Sequence, residues 1–225
     1  MATARRLRVK CRPCQSAFVA FNVLTYSADP AEVLDRLRTA ARSALDAAHS
    51  LVRDRAAAAG VSFGIEAGQV IDYAALRHRA VRAAGAITVD NMLAGMAEDL
   101  SLDVLTCSQL SSQALLRLCG AAGPLAVVGL APIYYPLATL PAASGGVRTR
   151  LAEVAAAVAR DTGYAIALRP FFTGISDMSF LGAEIAEASL AAAATNTPGW
   201  RERWNLRAVG SGATPVVNIG PWGRD

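Results

Sequence analysis

The sequence predicts an α/β protein, and three observations support that fold class. Short apolar runs of strand length alternate with longer stretches of helical periodicity along the chain. One helix carries a complete start signal and follows directly on a strand-like run. A hydrophobic content of 53% with 18% charged residues is typical of a globular chain, and 225 residues suffice for a substantial core.

The first strand and the first helix form a β-α unit. Residues 17–26 are rich in β-branched and aromatic side chains, which favours a strand. Asp29 is a suitable N-cap, Pro30 suits the first helical position, and Gly60 ends the helix near its C-cap. The expected inward face of this helix is Val33, Leu37, Ala41, Ala44, Ala48 and Leu51.

The remaining elements follow from periodicity and turn signals. Up to residue 131 we expect a short strand or loop at 70–71, helices at 73–84 and 88–119 with a break near Ser101, and a strand at 125–131. The loop rich in Pro, Ser and Gly that ends at Gly146 is the best domain boundary. Beyond it we expect a helix at 147–162 with Leu151, Val154 and Val158 inward, a strand at 165–168, a helix at 180–194 and a strand at 215–219.

Charge and hydropathy exclude two classes of partner. The net charge is +4, but five basic residues lie within the first 12 positions, so the rest of the chain is near neutral. A nucleic-acid-binding face is therefore not indicated. No window reaches the roughly 18 apolar residues that a membrane span needs. A signal peptide is disfavoured because Asn22 interrupts the apolar run, so we expect a cytoplasmic protein.

The cysteines and histidines give weak signals for metal or redox chemistry. Cys11 and Cys14 form a CxxC, which is compatible with half a zinc site or a redox pair. Cys107 and Cys119 are too far apart to form a second CxxC and suit core positions on a helix, although a four-cysteine zinc site stays open. The two histidines have no carboxylates at ligand spacing, which favours surface or half-buried side chains over metal ligands.

The segment after the 165–168 strand is the best candidate for chemistry. It leads from a strand into a helix, where unpaired N–H groups can meet an anionic ligand. It is not a nucleophile elbow, because Met178 stands where the GxSxG motif requires glycine. Ser176 or Asp177 could alternatively act only as the cap of the following helix, and spacing alone favours the cap.

Five segments together resemble a known enzyme family. They are 20–25, Ala131-Pro-Ile-Tyr-Tyr-Pro136, 169–181, Asn196-Thr-Pro-Gly-Trp200 and 215–225. In this order they resemble the RocB-like, arginine-utilisation branch of the dizinc peptidase family, which also includes aminoacylase and succinyl-diaminopimelate desuccinylase. The resemblance covers the chain from about residue 16 onward, and the joint presence of the last three segments is specific.

The resemblance implies a lid-type α/β sandwich followed by an incomplete α/β catalytic-domain segment. The implied division is a basic tail at 1–15, a lid or dimerisation domain at 16–140 and the C-terminal part of a catalytic domain at 141–225. Complete relatives hydrolyse the amide bond of acylated amino acids or small peptides, with two zinc ions and a carboxylate base. By this resemblance Gly174, Ile175, Ser176, Asp177 and Ser179 line part of the substrate pocket.

The zinc ligands of the family fall outside the matching positions. Most of them precede the lid, and the last one, a histidine, is expected after the turn shaped by Gly220 and Pro221, just beyond Asp225. Relatives outside this branch also tend to have an arginine where this chain has Ser179. We therefore expect a partial amidohydrolase that binds no zinc and is inactive alone. Its partner would be a second copy through the lid or a separate polypeptide with the N-terminal catalytic half. The alternative is a non-catalytic dimerisation module.

Overall fold

The computed structural model describes residues 16–23, 29–61, 64, 66–132, 134–135, 140, 145–170, 186–204 and 215–220. Within them lie six α-helices, two strands and one π-helical turn. In chain order these are α1 (Pro30–Ala58), β1 (Gln69–Asp72), α2 (Tyr73–Ala84), α3 (Ala86–Glu98), α4 (Val104–Leu118), β2 (Leu125–Val128), α5 (Gly145–Thr162), α6 (Glu187–Asn196) and the π-turn (Trp200–Trp204).

The two strands form a parallel sheet that is covered by helices. β1 and β2 pair in register from Gln69 opposite Leu125 to Asp72 opposite Val128. Helices α2, α3 and α4 connect the strands, as a parallel crossover requires. α1 packs against both strands, and α2 contacts both as well. The described structure is therefore a mixed α/β fold that is mostly helical, which confirms the predicted class at that level.

Helix α1 has the predicted ends but a partly different inward face. The Asp29 side chain accepts a hydrogen bond from Glu32 N at 2.9 Å, and Gly60 has a φ of 65° after the helix ends. Val33 is buried and Leu37 and Ala41 are half-buried, as expected. Ala44, Ala48 and Leu51 are exposed, so that part of the prediction was wrong.

The face drifts because the contact with β1 follows rows of residues four apart. Leu45 lies against the chain just before β1, where a Cβ on Gly68 would come within 2.9 Å of its Cδ1 atom. His49, four residues further, is half-buried on the same side. The contact therefore continues at least to Leu45.

The core lies between α2, α3 and α4. Its buried cluster is Tyr73, Leu76, Ala80, Val89, Leu93 and Leu115. The predicted break in the 88–119 helix is confirmed, because α3 ends at Glu98 and α4 begins after the cap residue Asp103. Cys107 is a buried free thiol on α4, in line with a core position.

Three predicted strands are not strands where the structure describes them. Residues 16–23, 163–169 and 215–219 have no regular secondary structure. Most of their large apolar side chains are exposed, to 76% for Tyr164 and 89% for Ile219. The predicted helix at 147–162 is confirmed as α5, but Val154 and Val158 are exposed instead of inward. Strand propensity cannot build a ladder without a neighbour. Among the described residues, only β1 and β2 pair.

Candidate functional site

The substrate-binding residues predicted from the resemblance lie mostly outside the described structure. Gly174, Ile175, Ser176, Asp177 and Ser179 belong to the segment 171–185, and Pro221 follows the last described residue, Gly220. Gly220 is exposed at a bend. The substrate loop and the turn at 220–221 therefore stay predictions.

The best-defined polar arrangement in the described residues lies at the carboxyl ends of β1 and β2. Ligands of open α/β sheets usually bind at this edge. Here α2 begins immediately after β1, and the end of α6 approaches the end of β2. We call the residues that meet there the carboxyl-edge cluster: Arg38, Asp72, Tyr73, Gly129 and Asn196.

Asp72 joins the end of β1 to two helices. Its Oδ1 accepts a hydrogen bond from Ala75 N at 2.7 Å and so caps α2. Its Oδ2 pairs with the guanidinium of Arg38 on α1, which also pairs with Asp35. The hydrogen bond to Asp72 raises the pKa of Arg38 above its ordinary value, while partial burial acts in the opposite direction. The carboxylate is thus committed to a cap and an ion pair.

Asn196 holds three elements together at the same edge. Its Oδ1 accepts from Ala74 N at 3.2 Å, and its Nδ2 donates to Ala192 O at 3.1 Å. Its main-chain oxygen accepts from Leu130 N at 2.8 Å, just beyond β2. Two N–H groups in the first turn of α2 are therefore occupied by Asn196 and Asp72. A ligand anion could use either of these two N–H groups only by displacing the protein's own acceptor.

Gly129 permits this close approach. A Cβ at this position would lie 3.2 Å from Asn196 O and 3.2 Å from Tyr73 Cβ. The side chain of Tyr73 is buried beneath the edge, and burial raises the pKa of its phenol, partly offset by the charge of Arg77. Tyr73 therefore stays protonated near neutral pH and is not suited to act as a general base.

A second arrangement, which we call the Arg203 clamp, fixes the π-turn to the helical core. The Arg203 guanidinium donates to three main-chain oxygens: Ala97 O through Nε, Leu102 O through one terminal nitrogen at 3.0 Å, and Asp99 O through the other. These oxygens belong to the end of α3 and the turn into α4. Trp200, at the start of the π-turn, is buried. The clamp satisfies carbonyls that a helix end leaves without partners.

Neither arrangement has a metal centre. Among the residues that the structure describes, no three His, Cys, Asp or Glu side chains are placed to hold one ion. His49 is half-buried on α1 and His78 is exposed on α2. Cys11 and Cys14 fall outside the described ranges, so the CxxC stays a prediction. In the same part of the chain, no helix is both long and apolar enough to cross a membrane.

Comparison with known proteins adds no assignment. No family model, no curated protein and no solved structure matches the chain.

Sequence reasoning missed the residues that organise both arrangements. Asn196 was noted only as part of a family segment, yet an asparagine at a helix end before Thr-Pro-Gly is a local signal for a buried turn. Asp72 directly precedes a predicted helix, which is a cap signal. Arg203 carries no local signal, because its partner Ala97 lies 106 residues away.

Proposed function

We propose that the chain belongs to a zinc-dependent amidohydrolase of the RocB-like branch. In this proposal it supplies a lid-type α/β sandwich and the C-terminal part of the catalytic domain. The complete enzyme would hydrolyse the amide bond of acylated amino acids or small peptides in the cytoplasm. The observation that carries the proposal is the ordered set of five sequence segments, three of which lie after residue 168.

The packing of one of these segments supports the proposal. In Asn196-Thr-Pro-Gly-Trp200, four of the five residues are buried, and Gly199 lies close to α3, where an added Cβ would be 3.5 Å from Ala97 Cβ. Asn196 also reaches the carboxyl ends of both strands. A segment with this many buried main-chain and side-chain contacts has little freedom to vary in sequence. Its match to the family is therefore more informative than a match in an exposed loop.

On this proposal residues 1–225 hold only part of the zinc site. The resemblance places the zinc ligands and the base carboxylate upstream of the lid and just after the turn at Gly220 and Pro221. A separate polypeptide would bring the upstream residues, and the loop 174–179 would contribute substrate contacts. The zinc ions would polarise the scissile carbonyl and activate water once that site is assembled.

The first experiment measures zinc content and hydrolysis of N-acylated amino acids by the purified chain. We expect neither stoichiometric zinc nor turnover from residues 1–225 alone. We expect turnover when a polypeptide that carries the upstream ligands is co-expressed with a form of this chain extended through the histidine after the turn. Two zinc ions per isolated chain with turnover would contradict the proposed division of the site.

The second experiment tests the substrate loop in the reconstituted enzyme. Asp177→Asn should lower kcat/KM by about tenfold or more, the effect of removing one hydrogen bond that involves a charged group. Glu187→Gln, at the exposed start of α6, is the matched control. If Asp177 only caps a helix, both kcat/KM and thermal stability will stay nearly unchanged, because asparagine caps a helix about as well as aspartate.

A second candidate function rests on one specific observation. No residue between 145 and 170 is buried, although α5 carries several apolar side chains. Such a surface suits a non-catalytic interaction module descended from the enzyme. In that case the co-expressed complex would form without turnover.

A further inference from the structure

The turn between α3 and α4 gathers main-chain oxygens around one cationic group. Ala97 O, Asp99 O and Leu102 O accept hydrogen bonds from the guanidinium of Arg203, and a different nitrogen of that group serves each of them. These oxygens belong to a helix end and the turn after it, where main-chain acceptors are left without helical partners. We call residues 97–103 the carbonyl cup.

The carbonyl cup keeps its shape through hydrogen bonds that do not involve the guanidinium. Asp99 O also accepts from Leu102 N at 3.1 Å, and Asp99 Oδ1 accepts from Ser101 N at 3.0 Å and from the Ser101 hydroxyl at 2.6 Å. Asp103 caps α4 with its carboxylate. Because the cup is formed before its ligand is in place, binding costs little further ordering of the chain.

The charges around the carbonyl cup favour a cation. Residues 97–105 include no basic residue and three exposed carboxylates: Glu98, Asp99 and Asp103. The end of α3 adds the negative end of a helix dipole. Arg201 and Glu202, which lie beside Arg203 in the π-turn, are both exposed, and their opposite charges offset each other.

The geometry selects a guanidinium over a simple ammonium. The three oxygens bond to Nε and to the two terminal nitrogens of Arg203, so they are spaced for a planar group with separated donors. An ammonium carries all its donors on one nitrogen and cannot reach three oxygens placed in this way.

We propose that the carbonyl cup is a binding site for a guanidinium group, which Arg203 fills from within the same chain. When the Arg203 side chain is removed, the site takes a separate alkylguanidinium ion from solution. In the wild type the tethered side chain acts at a high effective concentration, so the same ion at low millimolar concentration does not displace it.

The π-turn has contacts that hold it against α3 without the Arg203 head group. Trp200, at its start, is buried, and a Cβ on Gly199 would lie 3.5 Å from Ala97 Cβ. Arg203 itself is half-buried, so truncating its side chain leaves a space that opens to solvent. A small ion can therefore enter the carbonyl cup while the π-turn stays in place.

The test is chemical rescue, measured by thermal unfolding of the full chain. Arg203→Ala removes the head group and its stem, and about 10 mM propylguanidinium should then raise the melting temperature by about 2 °C or more. Propylammonium at the same concentration carries the same charge without the planar fork and should have a much smaller effect. The wild type and Arg201→Ala, in which Arg203 still fills the cup, should show no such rise.

A second variant guards against a loss of folding that comes from the missing stem. Arg203→Met keeps an apolar stem and removes only the head group, so its melting temperature should rise with guanidinium ion itself at about 10 mM, far below denaturing concentrations.

Two results overturn the proposal. One is a rise of equal size with propylammonium or in the wild type, because charge or ionic strength alone would then explain it. The other is the lack of any selective rise in both Arg203 variants, and a variant that is unfolded and stays unfolded when the ion is added counts in the same way. None of these measurements needs enzymatic activity, so they are independent of the proposed amidohydrolase function.

Discussion

Two regions of this molecule have similar apolar sequences and very different environments. The body formed by α1 to α4, the two strands, α6 and the π-turn buries a continuous cluster around Leu76 and Leu115. The region 145–170, which comprises α5 and the strand-like segment after it, buries no residue at all. Its helix and its strand-like segment are both apolar enough to pack, so local sequence does not explain the difference. What the body has in addition is a set of long-range polar contacts that fix its elements against each other.

The comparison is tested most strongly by truncating one leucine in each region. Leu76→Ala removes a fully buried side chain and should lower the free energy of unfolding by about 2–5 kcal/mol. Leu168→Ala, at a position 52% exposed, should change it by less than about 0.5 kcal/mol at a concentration where the chain is monomeric. Urea unfolding at fixed protein concentration measures both. Equal losses in the two variants would show that the region 145–170 packs within the monomer.

The Arg203 clamp should give the next largest effect. Arg203→Ala leaves three main-chain oxygens without their donor and should lower the free energy of unfolding by about 2 kcal/mol. Arg203→Lys keeps the charge but cannot reach all three oxygens, so it should recover only part of the loss. Arg201→Ala, at an exposed position in the same π-turn, is the control. If Arg201→Ala lowers the free energy of unfolding as much as Arg203→Ala does, the loss comes from removing a positive charge from the π-turn. The three hydrogen bonds of the Arg203 clamp would then not explain it.

The close approach at Gly129 predicts a somewhat smaller loss. Gly129→Ala should destabilise the chain by about 1–3 kcal/mol, because the Cβ meets Asn196 O, which is held by Leu130 N. Gly95→Ala is the matched control, since no atom lies within 4 Å of its added Cβ inside α3. That variant should be stabilised by up to about 1 kcal/mol through helix propensity. Thermal unfolding measures both variants. A lower melting temperature for Gly129→Ala together with a higher one for Gly95→Ala would confirm the close contact, and shifts in the same direction would contradict it.

Much of the body could be predicted from local sequence. The start of α1 follows from Asp29 and Pro30, and the break between α3 and α4 follows from the loss of periodicity near Ser101. The parallel pairing of β1 and β2 is a non-local fact, but it agrees with the predicted alternation of strands and helices.

The errors have one physical cause, since they concern what an element packs against. Local periodicity identifies α5 as a helix but not its partner, and it marks 165–168 as strand-like without a neighbouring strand. The inward face of α1 is set beyond Ala41 by the position of β1. The contacts of Asn196 and Arg203 span about a hundred residues, so no window of sequence contains both partners.

The smallest expected effect is a pH dependence within the body at the start of α4. Asp103 caps this helix by accepting from Leu105 N at 2.9 Å and Thr106 N at 3.0 Å. A hydrogen bond from the Thr106 hydroxyl, together with that backbone N–H, lowers the pKa of the Asp103 carboxyl below its ordinary value of 3.8. Because the carboxylate is favoured in the folded state, its contribution is complete above pH 3.8 and is lost as the pH falls towards the lower folded value.

Asp103→Asn keeps a cap that does not titrate, so its stability should fall less steeply than that of the wild type as the pH is lowered towards 3. Asp99 has a pKa lowered in the same direction by Ser101, and Asp99→Asn should flatten the remaining slope further. Urea unfolding at several pH values measures these slopes. A slope in Asp103→Asn at least as steep as in the wild type would contradict the prediction and would mean that the acid sensitivity of the body arises outside the Asp103 cap.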